Sequence, residues 1–109
     1  MDSEKLNIVG SYHLAQSIQV QDGSVVSKTL VNKPSGTVTL FAFAKEQGLS
    51  EHAAPFDAQL LVLEGKAEVS ISGLWYTVST GETILLPANL PHAVKANEAF
   101  KMLLIMIKA

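Results

Sequence analysis

The stretch whose reading decides the fold is Gly81-Glu82-Thr83-Ile84-Leu85-Leu86-Pro87-Ala88-Asn89-Leu90-Pro91-His92. A glycine turn leads into a short segment rich in branched apolar residues. Two prolines then bracket a turn, and a histidine opens the next segment. Because each proline fixes φ on its side of that turn, the direction of His92 is well specified. With the two-residue period of a strand, Val94 and Ala96 share the face of His92, and Lys95 takes the other, toward solvent.

Outward from this stretch the same grammar continues. Gly23, Gly36, Gly48, Gly65, Gly73 and Gly81 recur every 8 to 17 residues, separated by short runs rich in Val, Ile, Leu, Thr and Phe. That rhythm predicts an all-β sandwich or barrel. Strands are expected at 24–31, 37–44, 59–64, 66–72, 74–79, 83–86, 92–96 and 100–108, with turns at 32–36, 64–65 and 73. No segment carries a sustained helical stripe, and no internal repeat is present. The chain reads as a single domain over 1–109, an N-terminal segment at 1–20 followed by a barrel at 21–108.

In the 66–72 strand, Ala67, Val69 and Ile71 alternate with Glu68, Ser70 and Ser72, which predicts one wet face. Phe41 and Phe43 share a face opposite Val38, Leu40 and Ala42. Of Trp75 and Tyr76, one is expected inward and the other outward; Lys45 and Lys101 are expected in solvent. Two strands, Leu60-Leu61-Val62-Leu63 and Met102-Leu103-Leu104-Ile105-Met106-Ile107, are apolar on both faces. A small barrel has one interior, so the outer faces of these strands need a cover. A second copy of the chain, giving a homodimer, is the expected cover; the alternative is that residues 6–20 fold back over one of them.

Composition narrows the function classes. Apolar residues make up 48% of the 109 and charged residues 17%, the balance of a globular protein. The longest apolar run falls far short of the roughly 20 residues that span a bilayer. The first residues show no secretory pattern, so the cytoplasm is the expected location and no membrane role is expected. There is no cysteine, which excludes disulfides, thiolate metal sites and cysteine nucleophiles. Net charge is −2, and all eight basic residues are scattered lysines, so no nucleic-acid partner is expected.

A second stretch carries polar chemistry: Gly48-Leu49-Ser50-Glu51-His52-Ala53-Ala54-Pro55-Phe56-Asp57-Ala58, ahead of Gly65. Taken with the first, it resembles the cupin superfamily over about residues 20–108. Cupins carry a His-x-His followed by a Glu or Gln and a Gly, then a later Gly, Pro, Gly, His pattern. The later pattern is met by Gly81, Pro87 and His92, with Asn89 in place of glycine, a residue that also visits the left-handed region. Its final asparagine falls on Ala96. In the earlier pattern His52 matches the first histidine, the second falls on Ala54, and the carboxylate or amide falls on Ala58.

The resemblance implies an antiparallel jelly-roll β-barrel of the cupin type, with one interior pocket flanked by His52 and His92 and including Ala54 and Ala58. It also implies a divalent metal, zinc, nickel, manganese or iron, on His52 and His92, two of four ligand positions being kept. Gln59, Asp57 and Glu51 are the candidate extra donors. Alternation aims all three away from the face of His52 and Ala58, unless a bulge near Pro55 re-aims one. His13 lies outside both patterns and is expected at the surface. A small-molecule ligand or substrate is the expected partner. Two activities fit: an enzyme using the histidines through a metal or as an acid–base pair, or a non-catalytic, metal-free binding or sensing module for a small, fairly apolar ligand.

Overall fold

Alternating apolar residues decide which way most strands face, and the described residues form nine strands packed as two facing sheets. A computed structural model describes residues 9–108. A one-turn 3-10 helix (Leu14–Gln16) precedes β1 (Val25–Lys33), β2 (Gly36–Phe43), β3 (Gly48–His52), β4 (Asp57–Glu64), β5 (Lys66–Ile71), β6 (Leu74–Ser79), β7 (Thr83–Leu86), β8 (His92–Lys95) and β9 (Phe100–Ile107). They form two sheets, ordered β1-β2-β9-β4-β7 and β3-β8-β5-β6, with every pairing antiparallel.

Between the sheets lies the main core, including Phe43, Leu60, Val62, Val69, Val94, Phe100 and Met102. Each such side chain contributes about 1.5–3 kcal/mol on burial. Phe43 stacks on Phe100 with ring centroids 4.6 Å apart, and Phe41 follows at 5.9 Å from Phe43. Gly65 closes the β4–β5 turn with φ +86°, and an added Cβ would lie 2.8 Å from the carbonyl oxygen of Ala99. Only glycine meets both demands.

The strands apolar on both faces are β4 and β9. Their outer residues Leu61, Leu63, Leu103 and Ile105 join Leu40, Ala42 and Ile18 in a second cluster outside the five-stranded sheet. The chain supplies cover for this face itself: Ile18 is buried there, with Leu14 and Val20 packed beside it. This is the alternative to cover by a second copy, seen for residues 14–20; residues 6–8 lie outside the described residues.

Five expectations are corrected. The 48–52 segment, to which no strand is assigned from the sequence, becomes a strand because β8 pairs with it. The register slips between Leu49 and His52 rather than near Pro55. Trp75 and Tyr76 are both exposed, because β6 is a sheet edge where the sandwich opens. Ser70, assigned to a wet face, is buried between its cross-strand neighbours Trp75 and Ala93. Lys101, assigned to solvent, is only 7% exposed.

Candidate functional site

His52 and His92 are built into one place by their strands. They are direct cross-strand partners at the end of the β3–β8 pair, so their side chains leave the sheet on the same face. The register slips between Leu49 and His52, the irregularity that brings His52 opposite His92. His92 is held from its other side by the turn before it. Asn89 adopts φ +68°, the left-handed conformation its place in the pattern requires, and its amide donates to the carbonyl of Ala54 at 2.7 Å. The amide of Ala88 donates to Asp57 Oδ1 at 2.8 Å. The 87–91 turn is thus tied to the loop joining β3 to β4.

The rings meet edge to face, with centroids 4.4 Å apart and planes at 66°. His52 Nδ1 lies 2.9 Å from the carbonyl oxygen of Ser50, and His92 Nδ1 lies 3.3 Å from that of Leu90. A carbonyl only accepts, so each contact needs the proton on Nδ1. In the neutral form each Nε2 then carries a free lone pair, the arrangement in which a backbone carbonyl orients a histidine for a metal ion or a proton. Burial pushes the pKa of His92 below its ordinary value of 6.5. The carbonyl of Leu90 pulls upward, and nearby His52 pushes down again. His92 is buried while His52 is exposed, so the pair spans the mouth.

Beneath the pair lies a cavity of about 50 Å³, lined by His52, Ala54, Ala58 and His92 and otherwise by apolar side chains. Phe56 also lines it, with Lys108 Nζ 5.6 Å from the ring centroid. A water takes about 30 Å³ of the liquid and small-molecule pockets run to about 300–1,000 Å³, so this space suits an ion with a water. The two alanines do not leave a large void, because Met102, Leu104 and Met106 of β9 project into the same space. These methionines escaped the sequence reading, which took 102–107 as plain apolar strand. Their signal was parity: 102, 104 and 106 share a face.

The candidate extra donors lie elsewhere. Asp57 accepts from Ala88, Gln59 donates to Thr83 Oγ1 at 3.1 Å, and Glu51 faces solvent. Among the described residues no three His, Cys, Asp or Glu side chains converge. The residues present therefore furnish two of the donors of a divalent cupin centre and do not complete that set. His13 is exposed, its carbonyl accepting from Gln16 and Ser17. A broader groove runs between the free edges of β6 and β7, past Tyr76 and Ile84; it is open to solvent and holds neither histidine. Among the described residues no helix is long and apolar enough to cross a membrane.

Comparison with known proteins agrees with this geometry. The cupin domain family model matches residues 39–108. A conserved protein of unknown function from Streptococcus pyogenes is 36% identical with a TM-score of 0.89, over 94% of this chain and 90% of that one. A cupin 2 conserved barrel domain protein from Leptotrichia buccalis is 44% identical with a TM-score of 0.84, over 86% of this chain; the match spans 46% of that protein. A cupin superfamily protein from Desulfitobacterium hafniense is 26% identical with a TM-score of 0.86, over 90% of each. No curated protein matches. With its two antiparallel sheets in the jelly-roll arrangement of these structures and its later histidine motif in place, the chain belongs to the cupin family.

Proposed function

We propose that this cupin barrel holds a transition-metal ion on the Nε2 atoms of His52 and His92, with the remaining positions open to water or to an oxygen of a small molecule entering at the mouth. One observation carries the reading: both Nδ1 atoms are engaged by backbone carbonyls, which leaves two lone pairs on adjacent rings. Zinc, nickel, manganese and iron all accept imidazole, and an ion with open positions polarises a bound oxygen. The test is metal content by elemental mass spectrometry on protein purified without chelator, beside the His52→Ala/His92→Ala variant. About one equivalent in the parent and none in the variant supports the reading. No metal in the parent, even after metal is added back, overturns it.

A second reading has its own support in the lining, which apart from the histidines is apolar and includes the flexible side chains Met102 and Met106. Methionines re-pack readily, so the cavity would widen around a small, mostly apolar ligand whose hydrogen-bond donor is accepted by the Nε2 atoms of the histidines. This metal-free binding module predicts a thermal shift with small aromatic molecules that persists in chelator.

The uncovered part of the outer face supports a homodimer. Beyond the cover by residues 14–20, Val38, Leu61, Leu63 and Ile105 remain half-buried, and Val31 and Ile107 are exposed. Sedimentation velocity checks this, and a species of one-chain mass at all concentrations would remove it.

A further inference from the structure

The cavity under the histidine pair carries one more kind of donor atom. Met102, Leu104 and Met106 point inward at successive rungs of β9. Met106 is the direct cross-strand partner of Ala58, so their Cβ atoms stand about 5 Å apart. Its side chain therefore leaves β9 beside the position where the cupin pattern has a carboxylate or amide, and lines the cavity. His52 ends β3 and Asp57 opens β4, which pairs with Ile107, so Met106 is at the histidines' end of the cavity. Met102 is four residues deeper, about 13 Å along the strand, and forms part of the fully buried core.

Among the described residues no carboxylate or amide side chain lines this cavity. Every side-chain donor in the lining is neutral: two imidazoles and the thioethers of Met102 and Met106. A dication against neutral donors and apolar walls keeps its whole charge uncompensated in a low dielectric. Since the Born cost grows as the square of the charge, a monocation costs roughly a quarter as much. Thioethers are soft donors that suit copper(I), the soft monocation among the ions such ligands favour.

Resting on the reading of His52 and His92 as a metal site, we propose that the ion is copper(I), bound by the Nε2 atoms of His52 and His92 and the Sδ of Met106. The site is built for a soft monovalent ion, where an intact cupin ligand set would take a divalent one.

The experiment is an anaerobic titration of metal-free protein with copper(I), in competition with the chromophoric chelator bicinchoninate. Copper X-ray absorption is recorded on the loaded protein, and zinc binding is measured in parallel. The expected result is one equivalent of copper(I) with both nitrogen and sulfur scatterers. Met106→Leu, which keeps the volume, should weaken copper(I) about tenfold or more, remove the sulfur signal and leave zinc affinity unchanged. Met102→Leu should change none of these. Copper(I) held by nitrogen alone, or equally well by Met106→Leu, overturns the proposal. So does a divalent ion retained at one equivalent while copper(I) is lost to the chelator, an outcome that leaves the histidine site standing. Failure to bind either ion removes both. The absorption spectrum of the parent protein tests the sulfur donor even if the variant does not fold.

Discussion

The ammonium of Lys101 donates a 2.6 Å hydrogen bond to the carbonyl oxygen of Ala15, 86 positions earlier in the chain. Lys101 lies on β9 between Ala42 and Glu64. Its neighbour Glu64 is 3.8 Å away but mostly exposed, so that ion pair contributes little. From the other side Lys28 Nζ donates to the carbonyl of Ser17 at 2.7 Å. Two lysines thus pin the segment that carries Ile18 onto the outer face of the five-stranded sheet.

Replacing Lys101 by Met removes one pin while keeping an apolar stem on an apolar face. The bond it breaks is worth about 1.5–3 kcal/mol, as for hydrogen bonds to charged groups. Relief of a buried charge offsets part of that in global stability. The loss is therefore expected locally. Amide hydrogen exchange should quicken across 14–18 while β4 and β9 keep their protection. Equal quickening in β9 would show that the lysine supports the sheet itself.

What was legible in the sequence follows from what alternation encodes. Val94, Ala96 and Lys95 fall where a period of two puts them, and the double-faced runs at 60–63 and 102–107 do divide between an inner and an outer cluster. The strand Gly48–His52 was not legible, since its residues have weak strand character and only pairing with β8 makes it one. Lys101 was not legible either: a lysine reads as solvated unless the distant carbonyl that receives it is known. At the candidate site, the lost ligands at Ala54 and Ala58 were visible. The methionine across from Ala58 was hidden, because cross-strand register is not written in a single strand.

Acid should weaken the fold through His92. Its folded pKa lies below the ordinary value of 6.5, mainly because burial disfavours the imidazolium. Below that ordinary value the unfolded chain takes up the proton first. The stabilisation is thus fully present above about pH 6.5 and is lost as pH falls from there through the folded value. Denaturant midpoints between pH 7.5 and 5 should fall in the parent and fall less in His92→Gln. A flat profile in the parent would show that His92 protonates without cost.

Asp57 positions the histidine turn without touching the cavity. Its carboxylate accepts from the amide of Ala88, the second residue of the 87–91 turn. Asp57→Ala leaves that amide to water and should cost about 1–3 kcal/mol, while Asp57→Asn keeps an acceptor and should cost less. Chemical denaturation gives the ranking. NMR of the His92 ring should show it shifted in Asp57→Ala and near its parent position in Asp57→Asn. Equal costs for both variants would assign the effect to charge alone.

Ala58 is the position at which the chain departs most informatively from its family. It is buried, faces the cavity with the histidines, and has Met106 on one side and Leu86 on the other. Ala58→Glu would bring a carboxylate into this space. Without metal, a buried carboxylate lacking a hydrogen-bond partner is costly, so the variant should be less stable than the parent by several kcal/mol. With a divalent ion the carboxylate becomes the compensating charge that the parent site lacks. The ion should then restore stability by RT ln(1 + [M]/Kd), about 2.7 kcal/mol at 100 times the Kd. Thermal unfolding of parent and variant, each with zinc or manganese and with chelator, reads this out. The expected pattern is a metal-dependent rise in Tm confined to, or much larger in, the variant. An equal rise in both would mean that the parent already completes a divalent site. No rise in the variant would mean that the Met106 side chain keeps the new carboxylate away from the imidazoles, and Ala58→Glu with Met106→Ala would then be expected to restore it.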